Sequence, residues 1–381
     1  MFQPINPQYS LSYNAYQMVS DSIDGLTKIV DNHAHLCGFG QDDDFYVNCC
    51  FEEKTNIIKR LHLKVFQQAS GVTSTDSTNQ QKNLEYITQL NSLIDNINTY
   101  IPYKMTLLPM DFYHEEHGEV SKVKTGLFCS TNSVSEISAQ YPHFIAVTSI
   151  HPAKKTAIEE LISANAKGIR VIKWLPNSMN IDCENPKYGP FYKKVIELNM
   201  VILVHVGHEH SVDCGYLNQE LGNPLKLRYP LDMGVKIVAA HCATEGTSTD
   251  YDFPLAKKKT DNFELFARLM DDEKYKTNLY ADISACIAIK RVTYLNTLLD
   301  KTEWHSRLFF GSDYPVPCIS FVTSTKLLWY HGLIKWNQIK TLNEIFYSNP
   351  LLYNLVVFRT LRSKKNNKFS NDIFERSIHD L

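Results

Sequence analysis

The sequence lacks any long apolar run. No stretch approaches the roughly 18 residues that a membrane-spanning helix needs. No leader is expected either. Met1–Ser10 is polar with two prolines, and has neither the basic nor the apolar segment of a signal peptide. It lacks charge of one sign: 39 Lys and Arg face 41 Asp and Glu, for a formal net charge of −2. That balance excludes a whole-molecule field for nucleic acid or an anionic membrane, so neither is expected as a partner. Paired cysteines are missing too. The nine are scattered, Cys49 and Cys50 are adjacent, and there is no CxxC. A zinc ribbon, a thioredoxin motif and a disulfide scaffold are excluded, and a reducing, cytoplasmic location is expected. No GxSxG elbow, phosphate-binding loop, Gly-rich dinucleotide turn or repeat of about 20–50 residues occurs.

What is present is ample core material: 381 residues, 44% of them apolar. Eight apolar runs rich in β-branched residues recur along the chain. They are Leu26–Val30, Met105–Met110, Phe144–Ile150, Ile169–Leu175, Val201–Val206, Val235–Ala240, Leu279–Ile283 and Leu308–Gly311. Continuous apolar runs indicate strands covered on both faces, as in a parallel sheet. Helical patterns lie between them at Lys155–Lys167, Phe191–Asn199, Pro224–Met233, Phe263–Asp271 and Val292–Leu299. Eight β-α units predict an α/β fold, a distorted (β/α)8 TIM barrel. It has a long insertion after strand one and extra helices near the C-terminus.

The barrel domain is expected to span residues 1–361. Its insertion, about 41–82, lies on the catalytic face and reads as a lid or a subunit contact. Phe51–Gln68 is helical in pattern, Ala69–Gln81 reads as a loop, and Asn83–Ile97 as the first outer helix. Residues 362–381 read as a polar tail that begins with the basic run Arg362-Ser363-Lys364-Lys365. The C-terminal helices or tail are candidates for a homodimer contact.

Chemistry gathers at the strand ends. Strand one ends Asp31-Asn32-His33-Ala34-His35, and alternation puts His33 and His35 on one face, where two imidazoles can share a metal ion. Strand five ends in His205, strand six in His241 and strand eight in Asp313. Metal-competent residues thus close four strands at the end where barrel active sites are built. In strand four, Lys173 interrupts an apolar run and shares a face with Ile169 and Val171. A lysine pointing inward needs a partner. Three readings stand: pairing with Asp or Glu, binding an anionic substrate, or reacting with CO2 to give a metal-bridging carbamate.

Three further residues are candidates for substrate binding. His151 ends strand three and reads as a substrate contact or a structural histidine. Asp282 ends strand seven and reads as a hydrogen-bonding group. His208-Glu209-His210 lies beyond strand five and reads as a loop shaping the pocket, with Glu209 open to a substrate amine or hydroxyl. His114-Glu115-Glu116-His117 spaces its histidines i, i+3, unlike the zincin motif, and reads as a solvated loop. Nothing marks Cys242 as a nucleophile.

His33-Ala34-His35, His205, His241 and Asp313, in that order, resemble the amidohydrolase superfamily. The segments His205-Val206-Gly207, Asn223-Pro224-Leu225, Gly234–Ala243, Tyr280–Ser284 and Leu308–Pro315 resemble its amidohydrolase-related branch, metal-dependent hydrolases of the TIM-barrel fold. The resemblance covers about residues 26–355. It implies that His33, His35 and Asp313 bind one metal and that His205 is a ligand. His241 is implied either as a ligand to a second metal or as a group polarising water or substrate. Lys173 falls where binuclear members carry a carboxylated, bridging lysine; many members of this branch bind one metal and lack the bridge. The cofactor implied is a divalent metal, one ion or two, zinc first among them, with manganese, iron or nickel also suited.

The activity this implies is hydrolysis of a small-molecule amide, lactone or other ester by a metal-bound hydroxide. Asp313 moves the proton, and His241 and Lys173 complete the catalytic group. Two other readings accompany it. One is a non-oxidative decarboxylase of an unsaturated or aromatic acid on the same metal barrel. The other is a non-catalytic metal-binding barrel.

Overall fold

The computed structural model describes residues 10–51, 57–72, 78–253 and 258–381. All eight expected strand segments form strands. We number them β1 (Ile29–His35), β2 (Tyr103–Leu108), β3 (Phe144–Ala146), β4 (Val171–Trp174), β5 (Val201–His205), β6 (Lys236–Ala240), β7 (Leu279–Asp282) and β8 (Leu308–Phe309). The fold is α/β, with parallel strands and intervening helices. Contacts divide it into two compact units. The first comprises the described residues of Met1–His35, Leu61–Met105 and Ser284–Arg376; the second those of Leu36–Arg60, Thr106–Ile283 and Ser377–Leu381.

In the second unit β4, β5, β6 and β7 are consecutive parallel neighbours. Val201 pairs with Val171 and Lys236, and Ile237 with Leu279. The chain beyond β3 joins β4 where Lys173 N donates to Thr148 O at 2.7 Å. These strands read as unbroken apolar runs because both faces are covered: Val201 through Val204 and Ile237 through Ala240 are all buried. Each buried Val, Ile or Leu contributes about 1.5–3 kcal/mol relative to exposure. A short antiparallel pair, Phe45–Val47 with Leu127–Cys129, accompanies them.

In the first unit β1 runs parallel beside the end of β8. Asn32 N donates to Phe310 O (2.9 Å), His35 N to Tyr314 O (2.9 Å) and Asp313 N to His33 O (2.7 Å). The first and last strands of the pattern are therefore neighbours.

The helices fall close to their expected positions. Ala157–Ala166 ends before Gly168, whose φ of +82° suits a residue without Cβ. Asn262–Asp271 is capped by Asp261, which accepts from Phe263 N. Asn349-Pro350 breaks one helix and starts the next: Pro350–Thr360 has Asn349 as its cap. Within the insertion, Ile57–Ala69 is helical and the outer helix runs Asn79–Asn98. The expected loop at 69–81 falls partly on residues 73–77, and the insertion also includes 52–56; both segments lie outside the described residues, as do residues 1–9. All nine cysteines are free thiols. Among the described residues no helix is long and apolar enough to cross a membrane.

Residues 362–381 differ from a polar tail. Phe369, Ile373, Phe374 and Ile378 are buried. In the first unit Phe310 N donates to Ile373 O at 2.8 Å, and Glu375 accepts from Thr27 N and Oγ1, both at 2.7 Å. The Arg376 guanidinium donates to the carbonyls of His305, Ser306 and Leu308. A few apolar side chains and one arginine outweigh the segment's polar composition.

Candidate functional site

The first unit brings His33, His35 and Asp313 together. His33 and His35 leave β1 on one face, as alternation requires, and their Nε2 atoms lie 3.3 Å apart. Asp313 Oδ1 is 3.5 Å from each of those nitrogens. Three donor atoms therefore mark a nearly equilateral triangle. Ligands held about 2.05 Å from a tetrahedral ion are about 3.4 Å from one another, so the triangle fits one face of such a shell. His33 and Asp313 both offer atoms able to hold a metal ion. The donor set of imidazole nitrogen and carboxylate oxygen suits zinc and its divalent neighbours.

The surroundings fix this triangle. His33 Nδ1 lies 3.2 Å from Ser284 Oγ, a partner that orients the ring with Nε2 toward Asp313. Tyr86 Oη donates to the carbonyl of His35 at 2.6 Å. Asp31, two residues before His33, is wholly buried and accepts from Ser312 N (2.8 Å), His33 N (3.1 Å) and Tyr103 Oη (2.8 Å). Burial pushes its carboxyl up, and those bonds hold it to about 6. Burial also pushes the Asp313 carboxyl up. The hydrogen bond of His35 and the charges of His33, His35 and Arg291 outweigh burial and bring it down to about 2. Gly311 gives the close approach: a Cβ there would meet His33 Cβ at 2.7 Å and Ser284 Cβ at 3.0 Å.

The second unit holds the other candidates. His205 ends β5 and His241 directly follows β6, with ring centroids 5.1 Å apart. Both are buried. Asp282 at the end of β7 accepts from His241 N at 3.0 Å, and its carbonyl accepts from Cys242 Sγ at 3.2 Å. It thereby braces three consecutive left-handed residues, His241, Cys242 and Ala243, with φ of 57°, 49° and 52°. Asp313 has φ of 63°. Non-glycine residues held there cost of order 1–3 kcal/mol each and cluster at functional sites.

Lys173 is buried in β4, where its carbonyl accepts from Ser149 Oγ at 2.8 Å. Glu209 is buried, with its Oε2 3.5 Å from His205 Nε2, and its Oε1 accepts from Ser211 N. The flanking histidines point elsewhere: His208 meets Thr247 O at 2.9 Å, and His210 pairs with Glu245 at 3.5 Å. His151 is engaged by backbone at both ring nitrogens, accepting from Ala153 N (3.1 Å) and lying 3.0 Å from Met179 O. His114, expected in a solvated loop, is instead buried. It stacks on His151 with centroids 4.4 Å apart and lies 3.6 Å from Asp111. Asp111, three residues before it, is a partner that the loop reading did not weigh.

Asp31, Ser284, Arg291 and Asp111 were missed in the sequence. Asp31 was legible, since it shares the parity of His33 and His35. Ser284, two residues past Asp282, had the same signal. Arg291 and Asp111 lie in loops and carried none.

Parallel strands with histidines and a carboxylate at or just past their ends define an α/β protein with a candidate metal-binding site. Residues 99–318 match the amidohydrolase family model, more than half of the chain, and the chain belongs to that family. It is a family of metal-dependent enzymes. No curated protein matches the chain. Among solved structures it is similar to an uncharacterized TIM-barrel protein, Bb4693, from Bordetella bronchiseptica. That likeness has 15% identity and a TM-score of 0.49, covering 87% of this chain and 99% of that one. It is also similar to 5-carboxyvanillate decarboxylase LigW from Sphingomonas paucimobilis, with 11% identity and a TM-score of 0.41 over 77% and 92% of the two chains. A third likeness is to enamidase, with 12% identity and a TM-score of 0.38 over 76% and 57%.

Proposed function

We propose that the chain is a hydrolase of a small-molecule amide, lactone or other ester, dependent on a divalent metal ion. The observation that carries the metal reading is the triangle of His33 Nε2, His35 Nε2 and Asp313 Oδ1, with edges of 3.3–3.5 Å. When bound, a divalent ion there would act as a Lewis acid and lower the pKa of water. The chain's own residues do the rest. His33 is oriented by Ser284. Asp313 would hold its first oxygen among the imidazoles, and its second would take a proton from the attacking water and pass it to the leaving group. His205 and His241 are proposed as further ligands at the ends of β5 and β6, with zinc as the first metal to test. Lys173 is proposed as the carboxylated lysine of a two-metal form.

The test is metal content together with product analysis. Zinc-loaded protein is screened against amides, lactones and esters, and in parallel against unsaturated and aromatic acids for CO2 release. Hydrolysis that disappears in Asp313→Asn supports the proposal. CO2 release without any hydrolysis overturns it in favour of a decarboxylase.

A further inference from the structure

The near-balance of charge over the whole chain hides a local excess. Residues 314–343 contain no Asp or Glu, and they carry Lys326, Lys335 and Lys340. The same stretch turns two of the chain's tryptophans outward. The helix Thr325–Tyr330 is closed by Gly332, whose φ is +73°, with Gly332 N donating to Trp329 O (2.8 Å) and Leu333 N to Leu328 O (3.0 Å). Leu328, Leu333 and Ile334 are buried and anchor the turn. Trp329, Tyr330 and Trp336 stand out instead, at 44%, 76% and 60% exposed. The two indoles meet edge to face, with ring centroids 4.8 Å apart. Lys326, one helical turn before Trp329 and Tyr330, is exposed, as is Lys335 beside Trp336.

The basic run at 362–365 reaches the same surface. Arg362 N donates to Leu333 O at 2.9 Å. Asn296 ties the two segments again: its Nδ2 donates to His331 O (3.2 Å), and its Oδ1 accepts from Lys364 N (3.1 Å). Lys364 is exposed. Its neighbours are engaged elsewhere. The Arg362 guanidinium donates to the carbonyls of Arg359, Thr360 and Leu361, and Lys365 lies 3.6 Å from Asp300. Glu344, the first carboxylate after the stretch, is turned to Ser12 N (2.6 Å) and Oγ (2.9 Å). The patch therefore sets three exposed aromatic side chains beside Lys326, Lys335 and Lys364, and its charge complements an anionic surface. Exposed apolar patches rimmed by polar groups mark interaction sites. Trp and Tyr favour the boundary of water and lipid, where one part of the ring is apolar and the other wet. Each lysine near such a boundary adds attraction to anionic headgroups. Indoles set edge to face offer no flat platform for nucleic-acid bases.

We propose that this face docks the protein on an anionic lipid bilayer. Trp329, Tyr330 and Trp336 enter the headgroup layer, and Lys326, Lys335 and Lys364 face the lipid phosphates. The attachment is peripheral: an anchored turn rests on the bilayer rather than crossing it. The proposal is independent of the metal reading.

The test uses the full chain with vesicles of two parts phosphatidylcholine to one part phosphatidylserine, and pure phosphatidylcholine for comparison. Cosedimentation measures binding. Tryptophan emission locates it, because Trp174 and Trp304 are buried while Trp329 and Trp336 are exposed. Wild type is expected to bind the phosphatidylserine vesicles, to bind phosphatidylcholine weakly, and to shift its emission to shorter wavelength. Trp329→Ser combined with Trp336→Ser should weaken binding at least about tenfold. Lys326→Gln, Lys335→Gln and Lys364→Gln should each weaken it by about fivefold. Melting temperatures should match wild type, since these side chains are exposed, and the lysine variants decide alone if the tryptophan pair melts lower. Wild type that ignores the vesicles, binds them without an emission shift, or binds no better than the variants overturns the proposal. A dimer in sedimentation equilibrium that the tryptophan pair dissociates also overturns it and assigns the face to a second copy of the chain. Preference for a single-stranded oligonucleotide over the vesicles overturns it in favour of nucleic acid.

Discussion

Replacing Gly311 by Ala adds one methyl group at the most crowded point of the His33–Asp313 triangle. The new Cβ would sit 2.7 Å from His33 Cβ and 3.0 Å from Ser284 Cβ, where ordinary contact is 3.4–4 Å. Relief requires β1 and β8 to separate by roughly 1 Å, because backbone bonds at Asn32, His35 and Asp313 hold the two segments in register. Ligand positions tolerate about 0.2 Å. The displaced His33 therefore leaves the triangle, and Ser284, its orienting partner, is pushed at the same time. We expect zinc affinity to fall by 10–100-fold or more and stability by about 1–3 kcal/mol. The assay is zinc titration against a competing chelator, with urea unfolding of the metal-free protein to separate the two effects. Wild-type zinc affinity in Gly311→Ala, with unfolding unchanged, would refute the packing argument.

Ser284→Ala removes the partner of His33 Nδ1 without crowding, so zinc affinity should drop by about 10–100-fold with little change in unfolding, read by the same chelator competition. His151 gives a pH effect. Burial, aided by the positive charge of His114, lowers its pKa from 6.5 to about 3, against smaller opposing effects of Asp111 and the Met179 carbonyl. The folded pKa lies below the unfolded one, so stability is full above about pH 6.5 and falls as the unfolded chain takes up the proton at lower pH. Its share of the loss is about 2 kcal/mol at pH 5, and the difference in urea unfolding between pH 7 and pH 5 should shrink by that amount in His151→Gln. Arg268→Ala strips the buried Asp250 carboxylate of its guanidinium, at 2.9 Å. Asp250 keeps its bonds from Asp252 N and Thr260 Oγ1, so the cost should be near the lower end for a broken buried pair, about 3 kcal/mol by urea unfolding.

The strands were legible because both their faces are buried and their apolar runs are continuous, as at Val201–His205. Strand one was legible by another signal: its apolar run stops at Val30, and the alternation of His33 and His35 carries β1 on to His35. Asp31 and Asn32 are admitted to its interior by distant partners: Tyr103 and Ser312 for Asp31, and the carbonyls of Phe310 and Arg376 for Asn32. Polar residues satisfied by long-range bonds look like a strand end in sequence. The buried C-terminal segment was hidden in the same way, because its few apolar residues pack on partners outside it, Phe358 and the far more distant Phe310. The left-handed turn at His241-Cys242-Ala243 could not be read, since it contains no glycine. The triangle at His33, His35 and Asp313 was readable because strand alternation and strand-end placement are local rules. Arg291 was not, because a loop residue reaches its neighbours by a path that no period encodes.

The most direct measurement is divalent metal per chain in the zinc-loaded protein, compared across wild type, His33→Ala, His35→Ala and Asp313→Ala, with circular dichroism to confirm the fold. The account predicts at least one tightly held ion in wild type and its loss in all three folded variants. A wild-type chain that holds no ion, or folded variants that hold as much as wild type, would contradict it.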